Sequence, residues 1–167
     1  MQRTQSLGVG LLAFAALSAA VVLAIPATAL ITVGVLDTGA RKVEVAGGLA
    51  YVADAVFGLR VINVSDPTAP VELGALDTPG GALDVAVLGG LAYVTDGLSG
   101  LRVIDVSDPT VPVELGALAT PGFPEDVEVV GGLAYVADGF DGLRVIDVSD
   151  PTTPVELGAL EIGRAHV

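Results

Sequence analysis

The sequence contains no cysteine, no tryptophan and a single histidine, His166, the penultimate residue. Without cysteine there is no disulfide framework, no thiolate nucleophile and no cysteine for lipid attachment, so stability rests on packing alone. With the one histidine confined to the tail, a Ser-His-Asp arrangement is excluded and a zinc site lacks ligands. Positive charge is scarce too: Lys and Arg total 7 against 20 Asp and Glu, a formal net charge of -13 over 167 residues. Such a chain repels nucleic acid and anionic lipid, and neither is expected as a partner. A phosphate-cradling glycine motif is also missing, since "GVG" at 8–10 lies inside the apolar N-terminal segment. No cofactor and no catalytic activity are expected.

That N-terminal segment is the one long hydrophobic run. Arg3 precedes an apolar stretch from Leu7 to Ile25, and Ala27-Thr28-Ala29 supplies small residues in the pattern of a cleavage site. Residues 1–29 therefore read as an export signal. At 19 residues the apolar run also approaches membrane-spanning length, so retention as an anchor by residues 7–25 is the alternative. Either reading places the remainder outside the cell, secreted or at the cell surface.

What the chain has in abundance is repetition. "GLRVIDVSDPT" stands at 100–110 and 142–152, and returns at 58–68 with Asn63 in place of Asp. Tyr51, Tyr93 and Tyr135 share one spacing with Pro67, Pro109 and Pro151, which sets a unit of 42 residues. Residues 85–118 and 127–160 agree at 28 of 34 positions. A period of this size indicates a stacked or circular array. The units are about 43–84, 85–126 and 127–160.

Each unit holds four short apolar runs, which in the second are Val85–Leu88, Leu91–Asp96, Leu101–Ser107 and Val113–Ala119. Rich in Val, Ile, Leu and Tyr, and bounded by Gly, Asp and Pro, they read as strands a, b, c and d. Gly89-Gly90 suits a tight a-to-b hairpin, and Ser107-Asp108-Pro109-Thr110 a c-to-d turn. Strands b and c are apolar on both sides, so one four-stranded antiparallel meander cannot stand alone. Radial stacking gives an all-β propeller; a β-solenoid is the rival arrangement. "LRVIDVSDP", preceded by "LAYVTDG" and joined to "PVELGALDTPG", resembles the LVIVD repeat of bacterial and archaeal surface propellers over about residues 33–160. The resemblance implies an extracellular β-propeller and carries no catalytic signature.

Propellers close with about four to eight blades, whereas this chain offers three units and a lone strand-like stretch at Thr32–Asp37. The expected ring is incomplete. "EIGRAHV" at 161–167 departs from the repeat and reads as the translation of a common sequencing adapter, so this tail is expected to be non-native. Bare terminal blades expose apolar surface and unpaired edges, which predicts poor solubility or head-to-tail self-association, two copies supplying six blades.

Sequence differences among the units gather at one end. The b-to-c loops read "DAVFG", "DGLSG" and "DGFDG"; the d-to-a loops read "TGARK", "TPGGALD" and "TPGFPED". Loops on a rigid scaffold are where recognition residues accumulate. The candidate binding surface is therefore Arg41, Lys42, Phe57, Phe123, Glu125, Asp126, Phe140 and Asp141, with an extracellular protein or a glycan as ligand. Strand a varies as well, at Glu44, Ala86 and Glu128. A sugar site would call for flat aromatic rings, and the three Tyr, all in strand b, read as packing residues. A purely structural surface repeat is the remaining class. Asp138 and Asp141 lack the fuller ligand spacing of a calcium loop, and Asp66, Asp108 and Asp150 read as turn formers, so no metal site is expected. Finally, Arg102 and Arg144 are expected to pair with Asp105 and Asp147 across adjacent blades.

Overall fold

The computed structural model describes residues 39–162. The expected export signal, the strand-like stretch at 32–37 and most of the expected non-native tail lie outside the described residues.

Twelve strands form three four-stranded antiparallel sheets, each in chain order. The first blade comprises β1 (Ala40–Ala46), β2 (Leu49–Asp54), β3 (Gly58–Asn63) and β4 (Val71–Leu76). The second comprises β5 (Asp84–Leu88), β6 (Leu91–Thr95), β7 (Leu101–Asp105) and β8 (Val113–Leu118). The third comprises β9 (Asp126–Val130), β10 (Leu133–Ala137), β11 (Leu143–Asp147) and β12 (Val155–Leu160). The meander expected from the apolar runs is thus present three times, with strand ends within two residues of those read from the sequence. The β1, β5 and β9 strands lie side by side along the inner edge of a propeller-type arc whose ring is not closed.

Turn chemistry fixes each hairpin. Gly89 and Gly90 have φ of 61° and 81°, with the pairs Gly47-Gly48 and Gly131-Gly132 alike, and such a left-handed pair matches the twist of the strands it joins. At the c-to-d turn the Asp108 carboxylate accepts from the Thr110 amide at 2.9 Å and its hydroxyl at 2.7 Å. Asp66 with Thr68 and Asp150 with Thr152 repeat this arrangement. These hydrogen bonds hold the carboxylates of Asp66, Asp108 and Asp150 below the usual range.

No blade has a private interior. One core joins Tyr51, Leu59 and Val61 of the first blade to Val85, Val94, Ile104 and Val106 of the second. The other joins Tyr93, Leu101 and Val103 of the second to Val127, Val136, Ile146 and Val148 of the third. The middle sheet therefore feeds alternate residues of the same strands to opposite neighbours, as period-2 side-chain alternation requires. Backbone contact tightens the seam. A Cβ on Gly74 or Gly116 would come within 2.5 Å of the carbonyl oxygen of Pro109 or Pro151, the c-to-d turn of the following blade.

One expectation is overturned. Arg102 does not pair with an aspartate of another blade; it meets Glu114 at 3.2 Å and Asp96 at 3.4 Å, both in its own blade. Arg144 likewise meets Glu156 and Asp138, and Arg60 meets Glu72. The reason is local: a bulge between Val103 and Ile104 brings β8 acids beside the guanidinium, and equivalent bulges occur in the other blades. Asp105 and Asp147 instead accept from the amides and hydroxyls of Ser107 and Ser149, closing turns as the strands end.

Two glycines separate conformational strain from steric overlap. Gly100 has φ 83° and a Cβ there would lie 2.1 Å from the Leu118 carbonyl oxygen, whereas Gly89 has φ 61° and open space around it. Gly100→Ala is expected to cost about 2–4 kcal/mol, the sum of a left-handed penalty and overpacking. Gly89→Ala should cost about 1–2 kcal/mol from the penalty alone. Urea denaturation of both variants checks the difference.

Candidate functional site

Three residues at the same position of the repeat converge at the inner edge. Lys42 in β1, Asp84 in β5 and Asp126 in β9 are spaced by the 42-residue period, and Lys42 is the only lysine in the sequence. Its ammonium lies 3.2 Å from Asp84 and 3.8 Å from Asp126. Asp84 is 2% exposed. Its carboxylate accepts from the Val85 amide at 2.8 Å and from the Val127 amide of the third blade at 2.9 Å. A buried carboxylate with two backbone donors and an ammonium is satisfied, and here it fastens three blades at one point.

The electrostatics follow from the same contacts. Hydrogen bonding with Asp84 raises the Asp126 pKa above the ordinary 3.8, partial burial and the Asp84 charge add to the rise, and Lys42 opposes it. The hydrogen bond to Asp84 also raises Lys42 above 10.5, against the opposing effect of burial.

A second set of aspartates secures the links between blades. Asp96, fully buried after β6, accepts from the Gly80 and Gly81 amides at 2.9 and 2.8 Å and from the Thr78 hydroxyl, all on the d-to-a loop entering its blade. Asp138 accepts from Thr120 and Gly122 in the same manner. In the first blade that loop is two residues shorter. Asp54 there accepts from the Val56 and Phe57 amides at 2.9 and 3.2 Å, and its Oδ2 has no partner among the described residues.

The b-to-c loops place apolar side chains in solvent. Val56, Leu98 and Phe140 occupy equivalent positions and are 68%, 83% and 92% exposed. Short 3-10 turns at Gly97–Ser99 and Gly139–Asp141 lift Leu98 and Phe140 outward. Phe57 and Phe123 are also exposed; the Arg60 guanidinium lies 5.1 Å from the Phe57 ring centroid. Between the loops is an open depression of about 380 Å³ lined by Ala55, Pro79, Leu83, Leu98 and Phe123 among others.

The eight residues expected to form the binding surface divide into two groups. Phe57, Phe123, Phe140 and Asp141 belong to loop tips on the variable end, with Phe123 against the depression that also contains Leu98. Arg41, Lys42, Glu125 and Asp126 stand where the inner strands begin, and Lys42 and Asp126 meet through Asp84. Arg41 is exposed beside a register shift in β1, and Glu125 is exposed just before β9. Reading loop differences missed Asp84, Val56 and Leu98. The signal for all three was the repeat itself: Lys42 aligns with Asp84 and Asp126, and an apolar residue aligns at each loop tip. Among the described residues, no group of three or more acidic or histidine side chains is arranged to hold a metal ion.

Replacing Asp84 by Asn tests the inner-edge network. Asp126 should titrate above 3.8 in the parent chain and move back toward that value in Asp84→Asn, as read by carboxyl carbon NMR. Because its folded-state pKa is raised, Asp126 favours the folded chain as pH falls through that pKa. Lys42 acts with the other sign of charge: its contribution is complete below 10.5 and is lost as pH rises through its raised folded-state pKa. Asp84→Ala, which orphans the Val127 amide, should cost about 1–3 kcal/mol in denaturation.

Comparison with curated proteins gives no significant match. A family model, that of the LVIVD repeat, matches three consecutive segments, residues 38–78, 79–120 and 121–161. These segments span most of the chain and each encloses one of the three four-stranded sheets. The chain therefore belongs to the LVIVD-repeat family.

Proposed function

We propose that this protein is an exported interaction module whose loop-tip face docks a partner protein. The observation that carries the reading is the alignment of Val56, Leu98 and Phe140, apolar side chains held in solvent at one repeat position on the variable end of three successive blades. Turn geometry does not call for them, since the flanking Asp and Gly residues already shape these loops. Solvent-facing apolar groups grouped on one face mark association surfaces. Glu125, Asp126 and Asp141 supply acidic groups on the same end, so a partner with an apolar centre and basic surroundings fits best. Support for export is the signal-like segment at 1–29.

Selection of a displayed random-peptide library on the immobilised chain tests this. Apolar peptides with flanking Lys or Arg should be enriched. Val56→Ser, Leu98→Ser and Phe140→Ser should each weaken the selected peptides about tenfold, while folding stability stays within about 0.5 kcal/mol. Peptides that bind the triple variant equally well would show that the loop tips are not the docking face. A signal confined to a glycan array would reassign the ligand class.

A further inference from the structure

We infer that Asp84 and Asp126 form a proton-operated latch between the second and third blades, closed when the pair shares one proton and open when both carboxyls are ionised, and that the latch sets the position of Phe123 on the loop-tip face. The two halves differ in freedom. Asp84 is 2% exposed, and its carboxylate is held by the Val85 amide at 2.8 Å and the Val127 amide at 2.9 Å. The Asp126 side chain is 67% exposed. Asp84 is therefore the fixed half and Asp126 the half that moves. Lys42 bridges them, 3.2 Å from Asp84 and 3.8 Å from Asp126. It keeps its charge throughout, because its hydrogen bond to Asp84 raises its pKa above 10.5.

With one proton on the pair, the cluster holds one ammonium and one carboxylate and is neutral. Asp126 then donates to Asp84, which ties the start of β9 to the start of β5. Loss of that proton leaves two carboxylates against one ammonium, and Glu128 on β9 adds to the repulsion. Asp126 then turns toward water, where its charge is solvated. The other charges on the packed strands are Arg41 and Glu44 of β1 and Asp54 at the end of β2, whereas β6 and β10, which contact β9, have none. Hydrogen bonding with Asp84 raises the Asp126 pKa above 3.8, in keeping with a shared proton. The latch reaches the loop-tip face through the chain. Phe123 precedes Asp126 on a segment whose other end is fastened by Thr120 and Gly122 to Asp138. Leu83 immediately precedes Asp84, and Leu83 and Phe123 both line the depression, with the Phe123 ring 3.4 Å from where a Cβ on Gly97 of the second blade would stand. Closing the latch draws the Phe123 segment toward the second blade; its bearing on a partner rests on the docking face proposed above.

NMR of the full chain reads the latch without any partner. The Phe123 ring resonances should titrate in step with the Asp126 carboxyl carbon, at a midpoint above 3.8. Asp126→Asn keeps a donor to Asp84 at every pH, so Phe123 should hold its low-pH position throughout. Asp126→Ala removes the donor, and Phe123 should hold its high-pH position throughout. Glu125→Gln and Asp141→Asn, which alter the other acids of this end, should leave the titration in place. A Phe123 signal that does not follow Asp126, or that still titrates in Asp126→Asn, would overturn the latch. Peptides selected on the loop tips test its link to docking. Their affinity for the parent chain should fall about fivefold as pH rises through the Asp126 midpoint, bound peptide should raise that midpoint in return, and Asp126→Asn should show neither effect. Equal affinity of the parent chain on both sides of the midpoint would overturn that link, whereas failure to select any peptide would count against the docking face alone.

Discussion

The contact between one sheet and the next carries this structure. A four-stranded antiparallel meander with apolar residues on both faces gains little by folding alone, because half of its hydrophobic surface would remain in water. Leu101 and Val103 look toward the third blade while Ile104 and Val106 look toward the first. The β5, β6 and β7 strands of the middle blade therefore each contribute to two cores. Since a buried Val, Leu or Ile stabilises by about 1.5–3 kcal/mol, neighbour burial accounts for folding in a chain without disulfides or a central core. Glycine in the outer strands follows from the same contact: the next turn approaches so closely that a Cβ at Gly116 has no room.

Polar groups then fix the angle and register that apolar contact leaves loose. Asp96 and Asp138 are fully buried and each holds the loop that delivers the chain from one blade into the next. Buried carboxylates are costly to desolvate unless they are paired, and here backbone amides, a threonine hydroxyl and an arginine charge pair them. Asp84 does the same work at the inner edge with the Val127 amide and Lys42. The variable loops can differ in length and composition because these anchors lie beneath them. In the first blade the d-to-a loop is two residues shorter in sequence, and Asp54 accepts from the amides of its own b-to-c loop.

A rigid arc with one variable end divides its surfaces by task. The c-to-d side is spent on turn formation and seams, and its Asp-Pro-Thr sequence is nearly constant among the blades. On the b-to-c side Val56, Leu98 and Phe140 stand clear of the body.

Much of this was legible in the residues. Period, strand number, hairpins and the turn role of Asp66, Asp108 and Asp150 follow from local chemistry, in which Gly-Gly and Asp-Pro-Thr admit few backbone conformations. The role of Arg102 was not legible, because period-2 alternation gives the side a residue faces but not a bulge that moves Glu114 into reach. Asp84 escaped notice because its partners Lys42 and Val127 lie in other blades and meet it only through stacking. The sequence by itself determined the repeating meander and its turns, since those depend on residues a few positions apart. Tertiary structure decided which charges meet, which apolar groups are covered and where the arc remains open, because those depend on distances between units that no local pattern encodes.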